Sequence, residues 1–549
     1  MHRLLLATAL LVLAGCAAPA PRVGDPGTVT ILAINDAYRI EGVDGGTVGG
    51  LARLATMRRE LAAADPDLIV LHAGDFLYPS LLSRSYDGQQ MVDVLNRLDG
   101  DPQAFDDRLL VTFGNHEFDK AAMKHAALLD ARIEESQFTW LGSGIDFAED
   151  AQGQALVAGP NLVERRLVEA NGITVGLFSI TTDVKHPEYV VAFADPVETA
   201  REETAALRAA GADLVVALTH ESAEEDVALL STLGAAGPDL IIGGHEHNHM
   251  QREAGGRYVI KADADLRTAA LVTVEPRQGR VPLVATTFPA IAGEDPAPDP
   301  AVAAVVQGWL QRQDAEYCAA SYKLPPGCLD APLGKAAVPL VAEEIEIRKY
   351  ETNLGDWVLD QALAALRPEG AQIAFLNAGS LRLNQTLPQG TVITRRHVDE
   401  LFAYANDLRL IRVSGAMLQQ MIERSVTQWD GNGWFLQIAG FAYRFDPKTG
   451  RVGDLTLLTP DGPKPIRPED ELLAVTNDFL TDPKSGQDGY TMLTADRLVP
   501  IKRKVPSLRD LVIEALGEAG PDGIAPQVDG RICNSERPGL CLALPSPAS

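Results

Sequence analysis

Positive charge is in short supply. Lys and Arg number 48 against 75 Asp and Glu, a formal net charge of -27 at pH 7. So acidic a chain repels a polyanion as a whole, which argues against a nucleic-acid scaffold. It does not exclude a small phosphate substrate, because bound divalent cations would be the largest local charges in such a site. The apolar run that opens the chain, Leu4 to Leu13, is too short to span a bilayer. Cysteine is rare, with 5 in the chain, and no Cys-x-x-Cys spacing supports structural zinc. No internal repeat and no glycine loop of the nucleotide-binding type stands out.

What is present is 549 residues that are 46% hydrophobic and 22% charged, an ordinary soluble composition and too long for one core. At least two domains are expected. Arg3 followed by Leu4 to Leu13 reads as an export signal. It ends in Leu13-Ala14-Gly15-Cys16, which resembles the lipobox of bacterial lipoproteins. That resemblance implies lipidation of Cys16, attachment by the lipid alone on the periplasmic side and, with Ala17 following, an outer-membrane address. Ala17 to Gly27 reads as a flexible tether. The other four cysteines lie late in the chain, and an exported protein would pair them locally, Cys318 with Cys328 and Cys533 with Cys541. Zinc binding is the rival reading.

Short apolar runs alternate with helix-suited stretches through the first half, the rhythm of an α/β domain. Expected strands are Val29 to Ile34, Leu68 to Leu71, Leu109 to Phe113, Ile173 to Ile180, Leu214 to Leu218 and Leu240 to Ile242. Pro289 to Pro300 reads as a linker, Ala301 to Glu316 as a helix, and a second domain begins near Pro339. Its helix over Leu354 to Leu366 carries apolar residues at helical spacing. The expected parts are residues 1–27 signal and tether, 28–288 first domain, 289–338 linker, 339–530 second domain and 531–549 tail.

Five of the expected strands run into metal-ligand residue types: Asn35-Asp36, His72-Ala73-Gly74-Asp75, Gly114-Asn115-His116-Glu117, Thr219-His220-Glu221 and Gly244-His245-Glu246-His247. Each alone is weak, since an Asp after a strand is usually a turn or cap. Together they gather five of the 10 histidines beside two aspartates and an asparagine. Oxygen and imidazole donors in this mixture suit Mn²⁺, Zn²⁺, Fe or Mg²⁺.

This ordered series resembles the calcineurin-like metallophosphoesterases, whose fold is a four-layered α/β/β/α domain. Glu351-Thr352-Asn353-Leu354-Gly355, Asn377 to Arg382, Gly433 to Gln437 and Asn477-Asp478-Phe479 narrow the resemblance to the 5′-nucleotidase family, which adds an α/β C-terminal domain. The match runs from about residue 28 to about residue 530. It implies two divalent ions bridged by Asp75, one also held by Asp36 and His247, the other by Asn115, His220 and His245. Such a pair activates a water and clamps the phosphoryl oxygens. His116, with Asn115 beside it, would stabilise the transition state or protonate the leaving oxygen. Phe435 and Phe479 match the aromatics that stack a base, Arg382 and Asn406 face phosphate or sugar, and Asp488 contacts base or ribose. A hinge would bring substrate to the metals.

Two departures stand out. The family's Asp-x-His is Asp36-Ala37-Tyr38 here, so an imidazole ligand is missing and Tyr38 or Tyr78 could replace it as a phenolate. The loop from Phe479 to Asp488 is longer than the family's, with Gly486-Gln487 for Gly-Gly. The leading expectation is a monomeric hydrolase of nucleoside monophosphates, nucleotide sugars or cyclic nucleotides. Rivals are a non-nucleotide phosphoesterase or thiosulfohydrolase, and a degenerate nucleotide-binding lipoprotein.

Overall fold

A computed structural model describes residues 21–542 except 278, 405, 428, 430 and 431. Cys16 and the export segment lie outside the described residues. The strand Val29–Ile34 is buried along its whole length. Alternation sends Leu32 and Ile34 to one face and Val29, Ile31 and Ala33 to the other. The first face packs under the helices Leu51–Ala64 and Pro300–Tyr317. The second meets Val216, Leu218, Leu240 and Ile242 of another sheet. That sheet's far side, with Val215, Ala217 and Ile241, is covered by Ala200 and Leu207 of Pro196–Ala209 and Leu229 and Leu230 of Ala223–Leu233. Helix, sheet, sheet, helix: the first domain is the four-layered α/β/β/α arrangement.

The first sheet is ordered Arg280–Thr287, Ala270–Arg277, Val29–Ile34, Ile69–His72, Asp106–Thr112, Phe138–Leu141, Leu162–Val163. From Val29–Ile34 to Leu162–Val163 the pairings are parallel. In the second sheet Ile173–Thr181, Leu214–His220, Leu240–Gly243 and Arg257–Lys261 are parallel in turn. Parallel strands deliver their carboxyl ends to one edge, where open α/β sheets place their ligands.

The second domain folds around a mixed five-stranded sheet, Leu436–Ala439, Ile373–Asn377, Glu471–Asn477, Leu408–Ser414 and Leu498–Val499, packed by the helices Asn353–Leu366 and Gly415–Ser425. Parts of the expected tether, linker and tail pack against the domains. Pro21 is buried, and its carbonyl accepts from Thr273 at 2.9 Å. Val302 and Val306 of the linker helix lie in the first domain's core. Ile532–Asn534 pairs with Phe441–Asp446 as an added strand. Disulfides join Cys318 to Cys328 and Cys533 to Cys541.

The domains are tightly joined. Arg39, 8% exposed, pairs with Glu400 at 3.2 Å and donates to the carbonyls of Arg382 and Leu383 at 3.0 and 2.8 Å. Arg84 donates to the Phe402 carbonyl at 2.7 Å, and Asn384 donates to Asp265 at 2.7 Å.

Candidate active site

The carboxyl-edge loops converge on Asp36 and Asp75, both essentially without solvent exposure. Oxygens of the two and a ring nitrogen of His220 lie within 4.8 Å of one another. His220 Nε2 is 3.2 Å from Asp75, and His247 Nε2 is 3.4 Å from Asp36. Asn115 Oδ1 lies 3.1 Å from His245 Nδ1, whose backbone N–H donates to Asp36 at 3.0 Å. All six side chains expected to hold metal are thus brought to one place.

The backbone here is held in unusual conformations. Asp36, Asp75 and His245 have φ of 50°, 58° and 81°, the left-handed region that non-glycine residues seldom enter. Such strain persists where surrounding structure over-determines it. Glu117 does much of that: its carboxylate accepts from the backbone N–H of Asp75, Phe76, Leu77 and Gly114 at 2.6–2.9 Å. Gly114 lets Asp75 approach, since a Cβ there would stand 2.2 Å from its Oδ1. Asn35 locks the first loop, donating to Asp36 at 2.8 Å and accepting from Ala262 N at 2.8 Å.

The donors fit a pair of divalent ions. His220 gives its Nδ1–H to the Ala73 carbonyl at 2.7 Å, which fixes the tautomer and turns Nε2 to Asp75. That Nε2 is buried with no hydrogen-bond partner, an orphaned atom that a cation would satisfy. Burial opposes charge on His220, but the Asp75 carboxylate prevails and pushes it up to about 10. His245 moves the other way, down to about 3, through burial and the neighbouring His220.

Tyr38 occupies the middle of this cluster. Its hydroxyl is 3.3 Å from Asp36 Oδ1, 3.3 Å from Asp75 Oδ2 and 3.0 Å from His247 Nε2. Burial and the two carboxylates hold its phenol well above the ordinary value. Tyr78 is corrected: its hydroxyl contacts Asp87 at 3.4 Å and Lys120 lies over its ring, so it turns away from the cluster. His72 is buried beside the cluster, near enough to interact with Asp36, His220 and Asp75. Both ring nitrogens are buried without hydrogen-bond partners, its ring lies 4.7 Å from that of Phe76, and burial lowers it to about 3.

At the mouth, His116 Nε2 is 3.9 Å from Asp75, while its Nδ1 lies 3.0 Å from both oxygens of Asp119. Lys185 holds Asp119 at 2.7 Å. Across the domain boundary, Arg382 Nη2 comes within 3.5 Å of His116 Nε2. Asn406 lines a cleft with Ser380, Tyr404, Asn477 and Arg84. Asp488 accepts from Asn377 at 2.8 Å, and burial raises its carboxyl above the usual range. The phenylalanine clamp needs correction in this conformation. Phe435 is 1% exposed inside the second domain's core, 6.4 Å from Phe445, and offers no free face. Its backbone is tied there as well, the carbonyl accepting from Ala378 at 2.7 Å. Phe479 is half-buried against the same core.

Glu117, Asn35, Asp119 and Lys185 were not singled out as site residues from sequence. Glu117 and Asp119 sit beside His116 in the third motif, and only the folded loops reveal what they hold. Lys185 follows a different strand, and nothing local marks it.

Two family models match in tandem, calcineurin-like phosphoesterase over residues 29–249 and the 5′-nucleotidase C-terminal domain over 332–495. The chain belongs to the 5′-nucleotidase family of calcineurin-like phosphoesterases. As a member it is a hydrolase acting on phosphoric ester bonds. It is 25% identical over 515 residues to the trifunctional nucleotide phosphoesterase YfkN of Bacillus subtilis, covering 88% of this chain and 34% of that longer protein. The snake venom 5′-nucleotidase of Naja atra is 24% identical, with 82% of this chain and 86% of that one covered. Among solved structures, a 5′-nucleotidase precursor from Thermus thermophilus is 24% identical with a TM-score of 0.73, covering 94% and 100%. The sulfate thiohydrolase SoxB of the same genus is 17% identical with a TM-score of 0.66, covering 93% and 97%. These two likenesses concern the fold.

Proposed function

We propose that this family member hydrolyses phosphate esters of nucleotides at a centre built from both domains. The observation that carries the reading is Arg382 of the second domain standing 3.5 Å from His116 above the Asp36–Asp75–His220 cluster. Asp75, Asp36 and His247 would hold one divalent ion, with Tyr38 as the neighbour able to fill the missing imidazole's place. Asp75, Asn115, His220 and His245 would hold the other. When bound, the ions supply Lewis acidity and a nucleophile at neutral pH.

The chain's own groups do the rest. Arg382 offers a guanidinium to the phosphoryl oxygens at the point nearest His116. His116 is aimed by Asp119, which takes the Nδ1–H and steadies the ring when it carries charge, so a proton can pass from Nε2 to the leaving oxygen. Lys185 holds Asp119 in that role. Asn406 and Asp488 line the direction in which a nucleoside would extend.

A second reading rests on Phe435. A stacking wall lost to the core leaves room for an ester without a base, including the sulfur chemistry named for SoxB. The test is product release from 5′-, 3′- and cyclic nucleotides, UDP-glucose, a simple aryl phosphate and a thiosulfonate. Preference for a nucleotide supports the first reading, and turnover of the others alone supports the second. Export with a lipid anchor at Cys16 is part of the proposal, and the two disulfides favour an oxidising compartment. Among the described residues no helix is long and apolar enough to cross a membrane.

A further inference from the structure

Glu344 belongs to the second domain, at the start of the short helix Glu344–Ile347. It is 2% exposed, and its Oε2 contacts Nδ1 of His247 in the first domain. His247 directs its other nitrogen, Nε2, at Asp36 and Tyr38. We propose that Glu344 is a positioning residue for the metal centre, reaching across the domain boundary to orient His247. The proposal rests on the ligand assignment made above.

A metal-ligating histidine usually gives its second N–H to a carboxylate or carbonyl, which fixes the tautomer and raises the basicity of the ligating nitrogen. His220 finds such a partner inside its own domain, the Ala73 carbonyl. His247 Nδ1 is buried, and its polar contact is the Glu344 carboxylate, close enough for an ion pair although the two atoms are not aligned as a hydrogen bond. Glu344 is the carboxylate that faces it. With the carboxylate absent, Asp36 at 3.4 Å from Nε2 would favour the proton on the nitrogen that is to face the metal.

Glu344 is itself firmly placed. Its backbone N–H donates to Asn384 Oδ1 at 3.1 Å, and Asn384 is anchored to the first domain through Asp265 at 2.7 Å. Arg348 pairs with Oε2 at 2.7 Å, and Arg382 stands 3.5 Å from Oε1. One buried carboxylate therefore touches a metal ligand on one side and the phosphate-facing guanidinium on the other. The consequence is that retention of one ion depends on the second domain being docked.

A plain interdomain ion pair would also explain the contacts with Arg348 and Arg382. The two roles differ in what they do to metal. The experiment is Zn²⁺ titration of the full soluble chain against a chromophoric chelator, with folding checked by circular dichroism on the metal-free protein. Wild type is expected to hold two ions. Glu344→Gln is expected to weaken one of them about 10–100-fold and leave the other unchanged. Glu344→Asp keeps the charge facing both arginines while withdrawing the carboxylate, and should weaken the same ion. His247→Ala should weaken that ion too, and combining it with Glu344→Gln should add little, because the second change acts through the first. Glu400→Gln cuts the Arg39 pair on the same boundary and should leave both affinities as they are. Wild-type affinity in both Glu344 variants, additive losses with His247→Ala, or an equal loss in Glu400→Gln would overturn the role. Fewer than two ions in wild type, or no loss in His247→Ala, would instead overturn the ligand assignment beneath it.

Discussion

Arg382 Nη2 and His116 Nε2 stand 3.5 Å apart although 266 residues separate them in the chain. One sits in a loop after a first-domain strand, the other after Ile373–Asn377 in the second domain. Their meeting means that both half-sites face the same small space without further rotation.

If both act on the same phosphoryl group, their losses should differ in kind. His116→Ala removes proton transfer and should lower kcat by about 10²–10⁴-fold with little change in KM. Arg382→Ala should raise KM and lower kcat together, since its charge serves bound substrate and transition state alike. The double variant should lose less than the product of the two, measured as a double-mutant cycle on kcat/KM.

Metal uptake should release a proton. His220 is pushed up to about 10 in the metal-free protein and must be neutral to ligate. At pH 7 the proton is present before binding and absent after it, so affinity should rise with pH through the neutral range. Calorimetric titration of Zn²⁺ in buffers of different ionisation enthalpy reads the proton count directly.

Gly114→Ala should abolish tight binding at both ions while the protein still folds. The added Cβ would stand 2.2 Å from the Asp75 oxygen and 2.7 Å from its backbone nitrogen, and the backbone cannot yield. Equilibrium dialysis against Zn²⁺ together with far-UV dichroism separates loss of metal from loss of fold.

Glu41 should make stability fall with pH. Burial first, and then Glu400, push its carboxyl from the usual 4.5 up to about 7. The folded chain keeps a proton that the unfolded chain has lost, so this contribution is present below pH 4.5 and disappears as pH rises through about 7. Glu41→Gln should match wild type near pH 4 and exceed it at pH 8 by about 1–3 kcal/mol in urea unfolding.

Much of this was legible in the chain. Apolar runs such as Val29–Ile34 and Leu240–Gly243 announced buried strands, and the residue types following them announced a metal site, because strand ends and their ligands are adjacent in sequence. What stayed hidden depends on distance in the chain. Tyr78 shares a loop with Asp75 yet turns to Asp87, a choice made by packing. Phe435 follows a motif suited to a base, but its ring is drawn into a core whose shape no local pattern encodes. Glu344 precedes the second-domain motifs by several residues, and only the docked domains bring it to His247.

Tyr38 offers the sharpest chemical contrast. Tyr38→His would install an imidazole beside the two carboxylates that the hydroxyl now contacts at 3.3 Å, and should tighten Zn²⁺ at that ion, whereas Tyr38→Phe should weaken it. Equal affinity in wild type and Tyr38→Phe would make the hydroxyl a bystander.

The most direct test is phosphate release from a nucleotide by the soluble chain loaded in turn with Mn²⁺, Zn²⁺ and iron, compared with Asp75→Ala. The expected result is metal-dependent turnover of at least one nucleotide, reduced on the order of 10³-fold or more in the variant, because Asp75 touches both halves of the centre. Turnover that survives in Asp75→Ala, or a folded wild type that binds metal and releases no phosphate from any nucleotide, would contradict it.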